Sequence, residues 1–428
     1  MATLHVLNSR KLFKKFSQYM QIHYFIKLVF LIPSYVIGFV LLMLIRAIKP
    51  IFLIRIGGLR SSRIGHFAAN TELYLCEKKS SINVPKQLHL DIFFFEERPL
   101  CNKQLAKMWR RVLYVGPAWL FSPLSRLNKM FPGGAIHEIG DNSKGDRDVH
   151  NLYEKFSTHL LFSENEERHG SARLREMGIP EDGRFVCLIV RDEVYLNSHI
   201  KNDWSYHNYR DSPIEDYTLA ALELSRRGYY VIRMGAKVKR PIAINEEKII
   251  DYATNGMRSD FMDIYLGSKC FFCVSTGAGW DAVPQIFRKP IVYVNYVPLG
   301  YMCTYRNSAL SIFKHHIDRN SGRELCLNEI FNVGAGFLVK SSDYDDKSIE
   351  LKNNTPEEIC EAVMEMTDRL NGNYQASLHD EFLQSQFLDI FSRNVNNDDY
   401  GKTLHGKIKS KVGGPFKNKN WLSSNTYD

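Results

Sequence analysis

The fold is decided by the stretch FFCVSTGAGWDAVP at residues 271–284, which continues as QIFRKPIVYVN through residue 295. Its apolar opening predicts a short strand, the small residues Ser275–Gly277 predict a turn, and a helix carrying Asp281 leads to a second strand. Such a turn leaves backbone N–H groups and hydroxyls at the start of a helix, where they suit a phosphate. An ordinary strand-to-helix turn has the same pattern, because neither a Walker motif nor Gly-x-Gly-x-x-Gly is present. A ligand site here therefore needs support from other segments.

Strands and helices alternate regularly before this stretch. Apolar strands are predicted at 185–190, 229–232 and 248–252, and helices are predicted after Pro213 and at 260–266. Alternation of this kind is typical of a parallel, doubly wound sheet with helices on its faces. The sequence therefore predicts the α/β class.

Length and charge set the domain organisation and the class of partner. The chain has 428 residues, too many for one hydrophobic core. We predict a segment at 1–50, α/β domains at 51–170 and 171–385, and a basic tail at 386–428 that lies on the surface unless its aromatic residues dock. The net charge of +9 favours an anionic partner. Nucleic acid is disfavoured because no zinc-finger, helix-turn-helix or RNP pattern is present.

The cysteines indicate a reducing compartment without disulfides. Eight are scattered along the chain, several in apolar runs where cysteine behaves as a small hydrophobic residue. Cys270 and Cys273 form a Cys-x-x-Cys, but two phenylalanines lie between them and no second pair follows. A buried strand is therefore favoured over zinc or redox chemistry.

The N-terminal segment predicts attachment to a membrane. Residues 1–27 are basic and aromatic, and residues 28–45 carry no charge but are interrupted by Pro33 and Gly38. Two geometries are open, a single span or a helix embedded in one leaflet, and a buried core helix is the alternative. We expect this segment to hold the protein at the cytoplasmic face of the inner membrane.

Candidate ligand residues follow three strands of the second domain. Arg191, Arg233 with Gly235, and the turn Ser275-Thr276-Gly277 each come directly after a predicted strand, where parallel sheets keep their ligands. Guanidinium groups combined with hydroxyls and backbone amides suit a diphosphate. Two further candidates are Arg210, as a second cation, and Asp281, as an acceptor for a sugar hydroxyl. Each could instead form a surface salt bridge or a helix cap.

His66 is the candidate acid–base residue. It ends a Gly/Ser/Arg-rich loop that follows the first strand of the first domain, and histidine is suited to proton transfer near neutral pH. The alternative is a histidine that only bonds to backbone at a helix start. Arg55, Arg60 and Arg63 in this region could bind an anion or face lipid head groups. No Asp-x-Asp follows a strand, so a metal-dependent single-domain glycosyltransferase is disfavoured and no metal ligand is assigned.

Together these motifs resemble a bacterial group of glycosyltransferases found with surface-polysaccharide genes, and more distantly the heptosyltransferases. The resemblance covers about 51–300 and rests on RIGGLRSSRIGH at 55–66, VRD at 190–192, YRD at 209–211, GYYVIRMG at 228–235, SDFMD at 259–263, STG at 275–277, Pro290 and Asn295. It implies a GT-B architecture, with two Rossmann-like domains facing across a cleft, the donor mostly on the second and the acceptor mostly on the first. It implies no required metal or cofactor. In heptosyltransferases an aspartate of an Ile-Gly-Asp motif is the base, and the matching position here is His66.

The function expected from these features is transfer of a sugar from a nucleotide-sugar donor to a glycan or lipid-linked glycan acceptor. In this scheme Arg191, Arg210, Arg233, Gly235 and the Ser275–Gly277 turn bind the donor, and His66 activates the acceptor hydroxyl. Two alternatives are open. A sugar-nucleotide epimerase of the same fold would form product without an acceptor, and a non-catalytic scaffold would support polysaccharide assembly without nucleotide binding.

Overall fold

The computed structural model describes residues 32–140, 147–194, 205–395 and 403–422. The basic, aromatic segment predicted at 1–27 lies outside these residues. The chain divides into two compact units. The first unit contains Met1–Arg60, Val84–Pro99 and Leu113–Asp141, and the second contains Ser61–Asn83, Leu100–Val112 and Asn142–Asp428.

The secondary structure of the described residues confirms the predicted mixture of strands and helices. The strands are β1 (Leu53–Leu59), β2 (His89–Phe95), β3 (Tyr114–Val115), β4 (Phe185–Ile189), β5 (Tyr230–Met234), β6 (Ile249–Ile250), β7 (Phe272–Ser275), β8 (Ile291–Tyr296), β9 (Ala309–Phe313), β10 (His315–Asp318), β11 (Ile349–Lys352) and β12 (Lys411–Val412). The α-helices are α1 (32–48), α2 (Ile64–Lys79), α3 (Lys103–Val112), α4 (Ala118–Met130), α5 (Leu152–Lys155), α6 (Glu164–Glu176), α7 (Thr218–Arg226), α8 (Asp260–Lys269), α9 (Ala282–Ile286), α10 (Leu327–Asn332), α11 (Ser341–Asp346), α12 (Pro356–Leu370), α13 (Leu378–Asn394) and α14 (Lys419–Leu422). Short 3₁₀ helices lie at Gly134–His137, Ser205–Arg210, Ile214–Tyr217, Gly279–Asp281, Leu299–Tyr301, Ala335–Phe337 and Gly414–Phe416.

The first unit is built on a parallel sheet in the order β1-β2-β3. Helices α1 and α4 cover it, and the core joins buried residues of both helices and two strands: Leu42, Ile45, Ile56, Phe94 and Leu124. The sequence predicts a strand at 51–56 and a loop from Gly57 onward, but β1 continues three residues further, to Leu59. A Cβ at Gly57 would lie 2.9 Å from Ile139, and one at Gly58 would lie 2.7 Å from Glu96. The glycines therefore permit close packing within a strand rather than marking a turn.

Helix α1 occupies most of the uncharged segment predicted at 28–45. Its buried residues follow a helical spacing at Ser34, Gly38, Leu42 and Ile45. Leu42 and Ile45 join the core that contains strand residues of the first unit. In the part of the chain that the structure describes, a helix of sufficient length and apolarity to cross a bilayer is not found.

The second unit is built on a seven-stranded sheet in the order β12-β9-β8-β7-β4-β5-β6, with every neighbouring pair parallel. The predicted parallel sheet is confirmed, and β4 and β7 lie at its centre because consecutive apolar residues bury both of their faces. Helices α2 and α3 also belong to this unit, and the indole N–H of Trp109 on α3 donates to the carbonyl of Phe67 on α2 at 3.0 Å. The domain ranges 51–170 and 171–385 divide the chain differently from these units and stay predictions.

The C-terminal residues 403–422 pack as part of the second unit. Strand β12 pairs with β9 at the edge of the sheet, and Phe416 and Trp421 are buried with ring centroids 4.8 Å apart. Of the two possibilities for the tail, the structure has the one in which its aromatic residues dock. Cys270 and Cys273 are fully buried in and beside β7, as expected for a strand.

Candidate functional site

The loops after β4 and β7 are joined at the carboxyl edge of the seven-stranded sheet. The backbone N–H of Arg191 donates to the hydroxyl of Thr276 at 2.9 Å, and the N–H of Thr276 donates to the carbonyl of Ile189. Both residues follow, within two positions, the ends of strands that lie side by side, so the fold alone brings them together. Parallel sheets bind ligands at this edge.

A third loop, Ser205–Arg210, closes over the same point. The Arg210 Nη2 donates to the carbonyl of Gly277 at 2.5 Å, and the Arg191 Nη1 donates to the carbonyl of His207 at 2.9 Å. Gly277 has a φ of +75°, and a Cβ there would lie 3.0 Å from the Tyr296 ring. The turn therefore requires glycine, because another residue would be strained and crowded.

The charges of three guanidinium groups act on the imidazole of His207. Burial and the charges of Arg191, Arg210 and Arg63 lower the pKa of His207 to about 4, so this ring is neutral near pH 7. Burial and the neighbouring charge of Arg210 also lower the pKa of Arg191 to about 10. A carboxylate of Asp211 lies 3.7 Å from Arg191. The cluster of Arg63, Arg191 and Arg210, called here the arginine cluster, thus has an excess of positive charge that favours an anion.

Helix α2 points its N-terminus at the turn that follows β7. A Cβ at Gly65 would lie 3.0 Å from the carbonyl oxygen of Gly279, so the two backbones are in close approach. The N-cap residue Arg63 provides no side-chain cap, and the first turn of this 16-residue helix has no acidic residue. The positive end of the helix dipole therefore adds to the arginine cluster.

His66 lies in the first turn of α2. Its Nδ1 is buried and has no hydrogen-bond partner within the described residues. One turn later, the amide nitrogen and oxygen of Asn70 are also buried and have no partner within the described residues. Buried polar atoms without partners are uncommon and call for a ligand or water. The sequence pointed to His66 but not to Asn70, although the four-residue spacing places both on one side of the helix.

The hydroxyl of Ser275 fills the turn that was predicted to bind a phosphate. Its Oγ donates to Asp281 at 2.7 Å and accepts from the backbone N–H groups of Gly277 and Ala278 at 3.0 and 3.3 Å. A phosphate could use these amides only by displacing Ser275. In this structure Ser275 and Asp281 therefore shape the turn.

Arg233 occupies a different place from the arginine cluster. It aligns with Leu188 of β4, whereas Ser275 aligns with Ile189, so the two side chains lie on opposite faces of the sheet. Its side chain is 2% exposed and its Nη1 lies 3.3 Å from Asp251. The next glycine, Gly235, has a φ of +156°, and a Cβ there would lie 2.5 Å from Val238. Both residues thus hold the loop after β5.

Arg233 nevertheless lines a cavity of about 350 Å³ beside the arginine cluster. Asp211 borders both the cavity and Arg191, which makes the two regions continuous. The other charged lining residues are Asp192, Glu193, Glu215, Lys239 and Arg240. Mixed charges of this kind suit a group rich in hydroxyls and amines, such as a nucleoside, better than a second phosphate.

A separate group of possible metal ligands is already bound by the guanidinium of Arg288. Potential ligand atoms of Glu72, Cys76 and His159 lie within 4.8 Å of one another. The Nη2 of Arg288 donates to Glu72 Oε1 at 2.6 Å and lies 3.6 Å from the Cys76 sulfur. The guanidinium therefore neutralises the buried carboxylate, and we assign this group to the core of the second unit.

Neither the protein-family models nor the curated protein sequences give a match to this chain. Solved structures do. The chain is similar to a family 9 glycosyl transferase from Veillonella parvula, with a TM-score of 0.40 and 12% identity over 61% of this chain and 86% of that one. It is also similar to the ADP-heptose lipopolysaccharide heptosyltransferase II of E. coli, with a TM-score of 0.37 and 14% identity over 60% and 90%. For E. coli heptosyltransferase WaaC with ADP-2-deoxy-2-fluoro heptose, the TM-score is 0.28 and the identity 11% over 60% and 93%. Heptosyltransferases, the distant resemblance seen in the sequence, are thus among the similar structures.

Proposed function

We propose that the protein is a glycosyltransferase that moves a sugar from a nucleotide-sugar donor to a glycan or lipid-linked glycan acceptor. The observation that carries the proposal is the arginine cluster at the carboxyl edge of a parallel sheet, beside the uncapped N-terminus of α2. A diphosphate is the anion that best matches guanidinium forks and a helix N-terminus together. The adjoining cavity would take the nucleoside.

The residues have distinct roles in this scheme. Arg191, Arg210 and Arg63 bind the diphosphate. Thr276 holds the backbone of Arg191, and the carbonyl of Gly277 fixes the guanidinium of Arg210. Ser275 and Asp281 hold the turn, while Arg233 and Gly235 shape the nucleoside cavity. The charge that develops on the leaving diphosphate is stabilised by side chains, so we propose that the reaction requires no metal.

His66 is proposed as the general base. A hydroxyl of the acceptor attacks the anomeric carbon, the bond from that carbon to the diphosphate oxygen breaks, and the hydroxyl proton passes to the imidazole. The electron pair of the broken bond leaves with the nucleoside diphosphate. A ring nitrogen without a partner within the described residues is available for such a transfer. The GT-B arrangement and the cytoplasmic membrane location belong to the same proposal.

The test is a screen followed by turnover. Nucleoside diphosphates and nucleotide-sugars are scanned for thermal stabilisation of the protein, and nucleotide release is then measured with and without polysaccharide or lipid-linked acceptors. We expect a sugar-nucleotide to stabilise the fold, release to require an acceptor, and activity to persist in a chelator. His66→Asn is expected to lower kcat by about 10²-fold or more with little change in nucleotide affinity, because general base catalysis has that typical magnitude.

Other outcomes separate the alternatives. Product formed from a nucleotide-sugar without any acceptor would favour the epimerase. Failure of every nucleotide to bind would contradict both enzymes and leave the scaffold. A His66→Asn variant that retains full turnover would remove His66 from the mechanism but leave the donor site in place.

A further inference from the structure

A row of apolar side chains stays exposed along α1 in the first unit. Ile32, Val36, Val40, Leu44 and Ile48 follow one another at four-residue spacing, which places them on one side of the helix. We call this row the apolar strip. The exposed fractions of Val36, Val40 and Leu44 are 58%, 54% and 58%. Single exposed aliphatic residues are ordinary, but a contiguous row of them marks an interaction surface.

The other side of α1 is already used. Leu42 and Ile45 are buried in the core of the first unit, and a Cβ at Gly38 would lie 3.4 Å from the backbone of Leu124 on α4. Protein therefore covers one side of the helix along its length. Any partner of the apolar strip must approach from the opposite side, so α1 would lie along the surface of that partner.

Exposed apolar groups of α4 enlarge the apolar surface of this unit. Trp119 and Met130, at the two ends of α4, are 59% and 77% exposed. Phe39 of α1 packs on Phe131, immediately after α4, with ring centroids 6.1 Å apart. Tryptophan, phenylalanine and aliphatic side chains of this kind are enriched where helices lie in a membrane interface.

The charges of this region favour an anionic partner. Helix α1 has no acidic residue, Arg46 and Lys49 lie at its end, and Lys129 is exposed on α4. In the sequence, residues 1–31 contain five basic residues and no acidic one: Arg10, Lys11, Lys14, Lys15 and Lys27. These residues would bring like charges together if they covered the apolar strip themselves. An anionic lipid surface complements both the strip and the basic residues.

We propose that the apolar strip inserts into one leaflet of an anionic lipid bilayer, with α1 parallel to the membrane plane. This resolves the two membrane geometries left open by the sequence in favour of the in-plane one. The proposal does not depend on the glycosyltransferase assignment, because no residue of the arginine cluster or the cavity takes part. Apolar burial supplies the attachment, and Lys49 and Lys129 supply preference for anionic head groups.

The first measurement is co-flotation of the full-length protein with lipid vesicles. We expect binding to vesicles that contain phosphatidylglycerol, weaker binding to pure phosphatidylcholine, and weaker binding at high salt. The double variant Val40→Glu/Leu44→Glu is expected to bind vesicles at least about tenfold more weakly than the wild type, because it places charges in the inserted surface. The matched control is Leu378→Glu/Phe382→Glu on α13, whose side chains are 87% and 60% exposed in the second unit.

A second measurement distinguishes lipid from protein as the occupant. Val40→Cys is treated with a maleimide, and its labelling is read peptide by peptide, with Leu378→Cys as the control. We expect Cys at position 40 to be labelled without vesicles and protected with them, and the control to be labelled in both conditions. Protection without vesicles would mean that residues 1–31 or a second copy cover the strip, which would overturn the proposal. So would vesicle binding that the strip variant leaves unchanged, or no vesicle binding by the wild-type protein.

Discussion

Replacement of Arg210 by glutamine is expected to weaken binding of a nucleoside diphosphate by about 10- to 100-fold. The guanidinium has five N–H donors. Nη2 is bonded to the carbonyl of Gly277, and the buried Nε has no hydrogen-bond partner in the described parts of the chain. The remaining donors can form a bidentate pair with phosphate oxygens. Each charge-assisted hydrogen bond contributes about 1.5–3 kcal/mol. The amide of glutamine can still donate one of the two bonds, so the net loss is one bond, or about 10- to 100-fold in affinity at about 1.4 kcal/mol per tenfold change.

The same replacement should cost little stability. Arg210 makes its protein bond to one backbone carbonyl at the edge of the sheet, so its loss should lower the free energy of unfolding by about 1 kcal/mol. Arg210→Lys keeps the charge but not the planar fork, and its affinity should fall between those of the wild type and Arg210→Gln. This order separates recognition by geometry from recognition by charge alone.

The assay is isothermal titration of wild type and variants with the nucleoside diphosphate that stabilises the protein most. Arg226→Gln is the matched control, because Arg226 is 69% exposed and pairs with Glu223 on the surface of α7 at 3.5 Å. Its affinity should equal that of the wild type. If Arg210→Gln binds within about twofold of the wild type, a change below about 0.5 kcal/mol, the arginine cluster is not the diphosphate site.

Two further predictions concern stability. Arg288→Met should lower the free energy of unfolding by about 3 kcal/mol or more, because it leaves the fully buried carboxylate of Glu72 without its cation. Urea denaturation measures this loss, with Arg226→Met as the control. Equal stability of the two variants would contradict the role of Arg288. For His315, burial lowers the pKa, but hydrogen bonds to two glutamates outweigh it and raise the pKa from 6.5 to about 9. Because the folded pKa is the higher one, this stabilisation is complete below about pH 6.5 and is lost as the pH rises through 9, by about 2 kcal/mol relative to His315→Gln. Parallel pH profiles of these two proteins would contradict the role of His315.

Local patterns in the sequence were sufficient for the elements of the second unit. The apolar runs predicted β4, β5, β7 and β8 to within a residue or two. Thr355 followed by Pro356 predicts a helix that begins at Pro356, and α12 begins there, with Thr355 forming a capping box with Glu358. Side-chain period and capping involve residues a few positions apart, so one sequence contains the whole signal.

Helix α2 shows that local sequence patterns do not predict which unit a helix packs in. The predicted domain at 51–170 contains both this helix and the strand that precedes it, whereas the structure packs the helix with the second unit through α3 and the turn at Gly279. Packing of this kind depends on contacts between residues far apart in the chain. A hydrophobic face predicts that a helix is covered but does not say by which element.

The sequence by itself determined that this is an α/β protein with a parallel sheet, and that its cationic and hydroxyl residues gather where strands end. Only the tertiary structure decided which of them meet. Strand order places β4 between β5 and β7, and the alternation of side chains then turns Arg233 to one face of the sheet and Ser275 to the other. The loop bearing Arg210 closes on Gly277 because the guanidinium of Arg210 donates to the carbonyl of Gly277, 67 positions further along the chain. Which site residues come together depends on the register of the strands and on how the chain crosses between them. The spacing of neighbouring residues in the sequence does not determine either one.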